Sequence, residues 1–342
     1  LFDDLAQQKI HVKASRVVNA TGIWTHDFLK TVHETIPKML YPTKGAHFVV
    51  ERTKFPLNEA FYFDTHDKRM VFAIPKQNHI YVGTTDTPIE SGFTNVSATI
   101  NDINYLIKTV NNKFEAVNLS INDVISTWAG IRPLLKGKGK NPGEISRKDE
   151  VFISSSGLIT IVGGKLTGYR LMAKKVVNHV YRLANIAFVE STTQNIKLSG
   201  SEWHNTPKIH ELIEYNDAKF DEAKQTGIKV GEFKTLFYRY GTNIDLITEK
   251  AFEYHNTDKD PRRVWLKAEI WYSVNYEMTC SLIGFFAYRT ENVLFEPSVV
   301  HNDLIFVADC LALFLNWSNA YKAKQIEDFL EQWKQYQTPK TK

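Results

Sequence analysis

Apolar positions along this chain follow two different periods. In the first half they come in short β-branched and aromatic runs, "GAHFVVERT", "AFYFDT", "RMVFAIPK" and "HIYVGTTDT", each broken by Pro, Gly or Asp. Such runs predict short strands joined by turns. A further β-like run covers Arg16 to Asn19 and ends at Gly22, and buried strands are expected over "DVISTWAGIRPLL" and "GLITIVGG". One interruption is helical, because Ile103, Leu106, Ile107 and Val110 fall at the spacing that lines one helix face. At Gly163 and Gly164 the period changes, and Leu166, Tyr169, Met172, Ala173, Val176, Val177 and Val180 make one apolar helical stripe. After about Thr192 the texture is mostly helical, with helices expected over 209–225, 233–240, 244–254 and 265–276 and a last pair from Asp303 onward. "SGSEWHNTP" reads as a linker, and a domain boundary is placed near Asn195, dividing 1–194 from 195–342.

Composition narrows the class. With 342 residues, 43% of them apolar and 13% aromatic, the chain has enough apolar side chains for two packed cores. Its 42 basic and 38 acidic residues leave only +4, too little to argue for nucleic acid as a partner. The one dense basic cluster, Lys136, Lys138 and Lys140, reads as a solvated loop, with an anion or lipid-headgroup contact as the alternative. Cys280 and Cys310 sit in separate apolar segments without metal-ligand spacing, which suits reduced core residues of a cytosolic protein. "LIFVADCLALFLNW" is interrupted by Asp309 and reads as too short to span a bilayer. The first residues have neither the basic start nor the apolar centre of a signal peptide, and the chain opens without Met, so its start is read as a cut. Paired-Cys metal patterns, a G-x-S-x-G elbow, a Walker loop and a G-x-G-x-x-G loop are absent from the sequence.

Several residues carry candidate chemistry. The amides of Lys165, Leu166 and Thr167 are expected at a helix start, where unpaired donors carry partial positive charge. They suit an acceptor that gains negative charge, such as the N1 and C2 carbonyl edge of a reduced flavin. Glycines needed only for tight strand-helix packing explain the same stretch, and both readings stand. Asn19-Ala20-Thr21-Gly22 permits close backbone approach by a ligand or makes an ordinary turn. Arg132 lies in an apolar strand end, so its guanidinium needs either an internal carboxylate, the commoner outcome, or an anionic ligand. Arg147 and Lys148 belong to a charged run nearby. His47, beside Lys44, has a side chain suited to proton transfer near neutrality, although structural histidines are more common. Thr84, Thr85 and Asp86 read as a turn with an Asx contact.

Taken in order, "VVNATGIW", "TKGAHFVV", "FYFDT", "RMVFAIP", "YVGTTDT", "STWAGIRPLL", "EISRKDE" and "ITIVGGKLTGYR" resemble the FAD-dependent glycerol-3-phosphate dehydrogenases. "MTCSLIGFFAYRTENVLF" extends the resemblance more loosely, with Tyr288 where the family has an arginine. The resemblance implies an α+β or α/β fold. In it, a partial FAD-binding Rossmann-like domain interleaves with an antiparallel substrate sheet and precedes an all-α C-terminal domain. It also implies that the chain is the C-terminal part of such an enzyme, lacking the N-terminal G-x-G-x-x-G unit. Ala20, Gly22, Gly164, Lys165, Leu166 and Thr167 would then face FAD. Arg132, Lys165 and more weakly Arg147 would bind sn-glycerol 3-phosphate, with His47 or Arg132 in the catalytic role. The implied product is dihydroxyacetone phosphate. Family oxidases carry a long insertion after the "GIRPL" strand, where this chain has only "KGKGKNPG", so a quinone or other respiratory acceptor is expected rather than oxygen. Peripheral contact with the inner face of the cell membrane and a homodimer stay open. So do a related glycerol-3-phosphate, amine or amino-acid oxidase and a non-catalytic segment.

Overall fold

The computed structural model describes residues 2–3, 5, 7–67, 69–136, 148–203 and 207–339, so Lys138, Lys140 and Arg147 lie outside the described residues. After two short strands, β1 (Phe2–Asp3) and β2 (Gln8–Lys9), come β3 (Val18–Asn19) and α1 (Thr25–Thr31). Next are β4 (Met39–Glu51), β5 (Phe61–Asp64), β6 (Met70–Lys76), β7 (His79–Gly83), β8 (Thr87–Pro88), α2 (Ile100–Lys113) and β9 (Val124–Lys136). The runs β10 (Glu150–Ile153), β11 (Ile159–Val162) and α3 (Tyr169–Ala184) follow. The remainder is helical, namely α4 (Ile209–Ala223), α5 (Val230–Tyr240), α6 (Ile244–His255), α7 (Pro261–Glu277), α8 (Asn292–Phe295), α9 (Pro297–Leu315) and α10 (Asn319–Trp333). The architecture is α+β, with an all-helical C-terminal part.

Contacts divide the chain into two units. The first combines Leu1–Gly45, Thr85–Val96 and Ala129–Ile196; the second combines Ala46–Thr84, Ser97–Trp128 and Lys197–Lys342. In the first unit β10 pairs antiparallel with β11, and β11 pairs parallel with β3, with Ile159 opposite Val18 and Thr160 opposite Asn19. Helix α3 lies on this sheet through Met172, Val176 and Val180, one residue per turn, against Ile159 and Ile161. The longer stripe read from the sequence is core-facing only in part. Leu166, in the turn before α3, and Tyr169 and Val177 within it are exposed. The β3 run is also shorter than expected, and Val17 and Val18 stay exposed.

The second unit is built on the strands β5, β6, β7 and the later half of β4, hydrogen-bonded antiparallel in the order β5-β6-β7-β4. Strand β9 also pairs with β4. Helix α2 closes against this layer with Ile103, Leu106, Ile107 and Val110 all buried. Each such side chain contributes about 1.5–3 kcal/mol. A reciprocal cap between Thr99 and Asp102 starts the helix, worth about 1 kcal/mol. The helical part meets the strands directly: Ser126 donates to the Leu294 carbonyl at 2.6 Å, Thr127 donates to the Gln337 carbonyl at 3.0 Å, and Tyr81 lies edge-on to Phe295. The apolar run around Asp309 begins earlier than the sequence reading allowed. As the 19-residue α9 it is the one helix among the described residues long and apolar enough to cross a membrane. Yet Val300, Val307, Ala308, Cys310 and Leu311 are buried in the helical core, and Asp309 is paired with Lys322 at 2.7 Å. Burial pushes the Cys310 thiol up to about 11, which makes it a packing residue. The helix starts at Pro297, a residue tolerated in a first turn, six residues before the expected start at Asp303.

Candidate functional site

Strands β3 and β11 run parallel and side by side, and both end at the same edge of the first unit. In open α/β sheets ligands bind at the carboxyl ends of such strands. Beyond β3, Asn19 is buried and its carboxamide oxygen accepts from the Thr21 amide and hydroxyl, while Thr25 donates to the Gly22 carbonyl at 2.7 Å. This fixes the Ala20 to Gly22 turn. Gly22 has φ +61°, and a Cβ there would meet nothing within 4 Å, so its glycine serves backbone conformation and leaves open space above it.

Beyond β11 the two glycines have packing reasons. Gly163 and Gly164 have φ +84° and +85°. A Cβ on Gly163 would lie 2.6 Å from the Lys148 carbonyl oxygen, and one on Gly164 would lie 2.7 Å from Met172 Sδ. Strand-helix packing thus requires both glycines, whatever else lies against Gly164, and the three residues after them start the next turn. Lys165, Leu166 and Thr167 are exposed, Leu166 at 89%, and no side chain caps the turn they start. The Leu166 and Thr167 amides are among those that a helix start leaves without an internal acceptor. Asp149, close to Gly164, is held by Lys175 at 2.5 Å, and this bond keeps its carboxyl below the usual range.

Arg132 has the internal partner that its apolar setting demands. Its guanidinium donates to the Thr85 carbonyl at 3.2 Å and to Asp86 at 3.3 Å, and Thr85 donates its hydroxyl to the Lys44 carbonyl at 3.4 Å. The Lys44 side chain is buried in the same unit. The sequence offered Lys44 only as a neighbour of His47 and Asp86 only as part of a turn. Their association with Arg132 depends on the Thr43 and Lys44 pairing to β8, which no local pattern announces.

His47 lies in the second unit. It pairs across the sheet with Gly83, stacks on Trp128 with ring centroids 4.6 Å apart and an interplanar angle of 11°, and meets Phe72 at 5.7 Å. A Cβ on Gly83 would fall 2.0 Å from His47 Cδ2, so the glycine is what admits the imidazole. Trp128 and Gly83 were not singled out from sequence, because their relation to His47 is cross-strand.

Comparison with known proteins agrees with these elements. A profile of the family described as FAD dependent oxidoreductase matches residues 4–170, and one described as the C-terminal domain of alpha-glycerophosphate oxidase matches 191–322. The aerobic glycerol-3-phosphate dehydrogenase of Bacillus subtilis is 38% identical over 333 residues, covering 95% of this chain and 59% of that protein. The enzyme of the same name from Staphylococcus epidermidis is 38% identical over 335 residues, with 96% and 59% covered. The chain thus spans less than two thirds of the length of these relatives. The structure of glycerol-3-phosphate dehydrogenase from Bacillus halodurans complexed with FAD superposes with a TM-score of 0.87 at 31% identity, over 100% of this chain and 66% of that one. Over nearly its whole length the chain is therefore similar to FAD-dependent glycerol-3-phosphate dehydrogenases.

Proposed function

We propose that the chain supplies the flavin-edge and substrate residues of an enzyme that oxidises sn-glycerol 3-phosphate to dihydroxyacetone phosphate, with a quinone as final acceptor. The observation that carries this reading is the unbroken likeness, 38% identity over 95% of the chain, to aerobic glycerol-3-phosphate dehydrogenases. The residues present fit the flavin end of FAD. The parallel strand ends, the open space above Gly22 and the exposed, uncapped turn at Lys165 to Thr167 provide a donor-rich edge. When bound, FAD supplies the two-electron acceptor. Ala20, Gly22, Gly164, Lys165, Leu166 and Thr167 would hold it, and the sequence has no G-x-G-x-x-G loop for its pyrophosphate. That this sequence corresponds to the part of the enzyme after such a loop belongs to the same proposal.

The remaining residues act on the substrate. Lys165 and Arg132 bind the dianionic phosphate through charge-assisted hydrogen bonds, and Asp86 and the Thr85 carbonyl fix the direction of the Arg132 guanidinium. His47 accepts the proton of the secondary hydroxyl, its ring plane fixed by Trp128. Arg147 is a further candidate phosphate ligand outside the described residues. Anaerobic addition of sn-glycerol 3-phosphate to the flavin-loaded protein should bleach its visible absorbance. Bleaching by an amino acid but not by glycerol phosphate refutes the substrate. Lys165→Ala should raise KM by about 10-fold or more, since a hydrogen bond to a charged group is worth about 1.5–3 kcal/mol; an unchanged KM removes Lys165 from phosphate recognition.

A further inference from the structure

The helical part of the second unit contains a cavity of about 230 Å³ between α5, α7, α8 and the start of α9, lined by none of the residues assigned above. Its chemistry is lopsided. Four carboxylates line it, Glu232, Glu269, Glu296 and Asp303, against two guanidiniums, Arg239 and Arg262. Both guanidiniums are committed. Arg239 donates to Glu269 at 2.5 Å and to the Thr290 carbonyl at 2.8 Å, with the Tyr240 hydroxyl also on Glu269; Arg262 donates to Asp303 at 2.5 Å.

Glu232 and Glu296 have no ion pair among the described residues. Glu232 accepts only the Lys229 amide, through one oxygen. His79 senses Glu296, but burial holds its pKa below the ordinary value, so it is a poor counter-charge at neutral pH. A second observation is independent of charge. Asn292 lines the cavity, is only 5% exposed, and its side-chain amide has no hydrogen-bond partner among the described residues. Buried amides are as a rule bonded to something. Trp265 adds an aromatic wall, its indole N–H already given to Thr226 at 2.8 Å.

We propose that this cavity binds a small organic monocation, a protonated amine on a short apolar body. The ammonium sits toward Glu296 and Glu232, the Asn292 carboxamide oxygen accepts one of its N–H groups, and the body lies against Trp265. Aromatic faces attract cations as well as apolar groups. The volume holds about eight waters at ~30 Å³ each and lies below the ~300–1,000 Å³ typical of drug-sized sites, which limits the body to a short chain or one ring.

Isothermal titration of the full chain with phenethylammonium chloride, and separately with phenethyl alcohol of the same skeleton, tests this. Saturable one-to-one binding of the ammonium is expected, with the alcohol weaker by about tenfold or more. Glu296→Gln, a near-isosteric change at a half-buried position, should weaken the ammonium by a similar factor and leave the alcohol unchanged. Equal binding of amine and alcohol, unchanged ammonium binding in Glu296→Gln, or no saturable heat below about 10 mM would overturn the proposal. The wild-type comparison stands even if the variant fails to fold.

Discussion

Replacing Gly83 by Ala tests the packing around the candidate base. The new Cβ would lie 2.0 Å from His47 Cδ2, 2.6 Å from Nε2 and 3.0 Å from Cγ. Carbon atoms pack at about 3.5–4.0 Å, so the ring must move by about 1.5–2 Å. It has nowhere easy to go, with Trp128 stacked on it at 4.6 Å and Phe72 at 5.7 Å. Overpacking of this kind costs about 1–3 kcal/mol, and losing the aromatic stack adds about 0.5–1.5 kcal/mol. A destabilisation of about 1.5–4.5 kcal/mol is therefore expected, read from urea unfolding followed by tryptophan fluorescence. The decisive comparison is a double-mutant cycle. In a His47→Ala background the clash is gone, and Gly83→Ala should cost less than about 1 kcal/mol. An equal cost in both backgrounds would show that the strand, rather than the imidazole, objects to the methyl group, and would refute the reasoning.

Three other outcomes follow from the geometry. Arg239→Met leaves the buried Glu269 carboxylate without its cation and should cost about 3–5 kcal/mol in denaturant unfolding, while adding Glu269→Gln should recover part of it; no recovery would mean that the pair is not coupled. Gly164→Ala meets both a left-handed backbone angle and Met172 Sδ at 2.7 Å, so Met172→Ala should relieve only the steric share and leave about 1–2 kcal/mol of strain; full rescue contradicts this. Burial lowers the His79 pKa, so as pH falls below the unfolded value of about 6.5 the unfolded chain takes up its proton first and stability declines. His79→Gln should flatten this slope between roughly pH 7 and 5, and an unchanged slope would assign the acid sensitivity elsewhere.

Local periodicity was informative wherever one face of an element is covered by its neighbours. The four apolar positions of α2 are all buried as their spacing predicts, and the aromatic strand runs all pair. Periodicity says nothing about what does the covering, so the apolar stripe read around α3 includes Leu166 and Tyr169, which are open to solvent. Charge followed the same logic. That Arg132 needs a partner was legible from its apolar flanks; that the partner is Asp86, 46 residues away, was not. His47 was legible as a candidate, but Trp128 and Gly83, which fix its ring, reach it only through strand pairing. The Arg239 and Glu269 pair joins two helices whose separate patterns give no reason to link them.

The division of the chain bears on its synthesis. Six alternating segments form the two units, so the polypeptide passes between them five times, at Gly45 inside β4 and at Trp128 inside β9 among other places. No linker at these two points can be cut or lengthened without severing a paired strand. On a ribosome, a nascent chain extended to Ile196 already holds every segment of the first unit, yet of the second it carries only the strand layer and α2. Phe295 and the Leu294 and Gln337 carbonyls, which meet Tyr81, Ser126 and Thr127, are still to come. Until the Lys197–Lys342 segment emerges, that layer shows apolar surface to solvent, the condition that attracts chaperones and favours aggregation. Shortening the chain from its C-terminus therefore threatens solubility before it threatens the residues assigned to FAD.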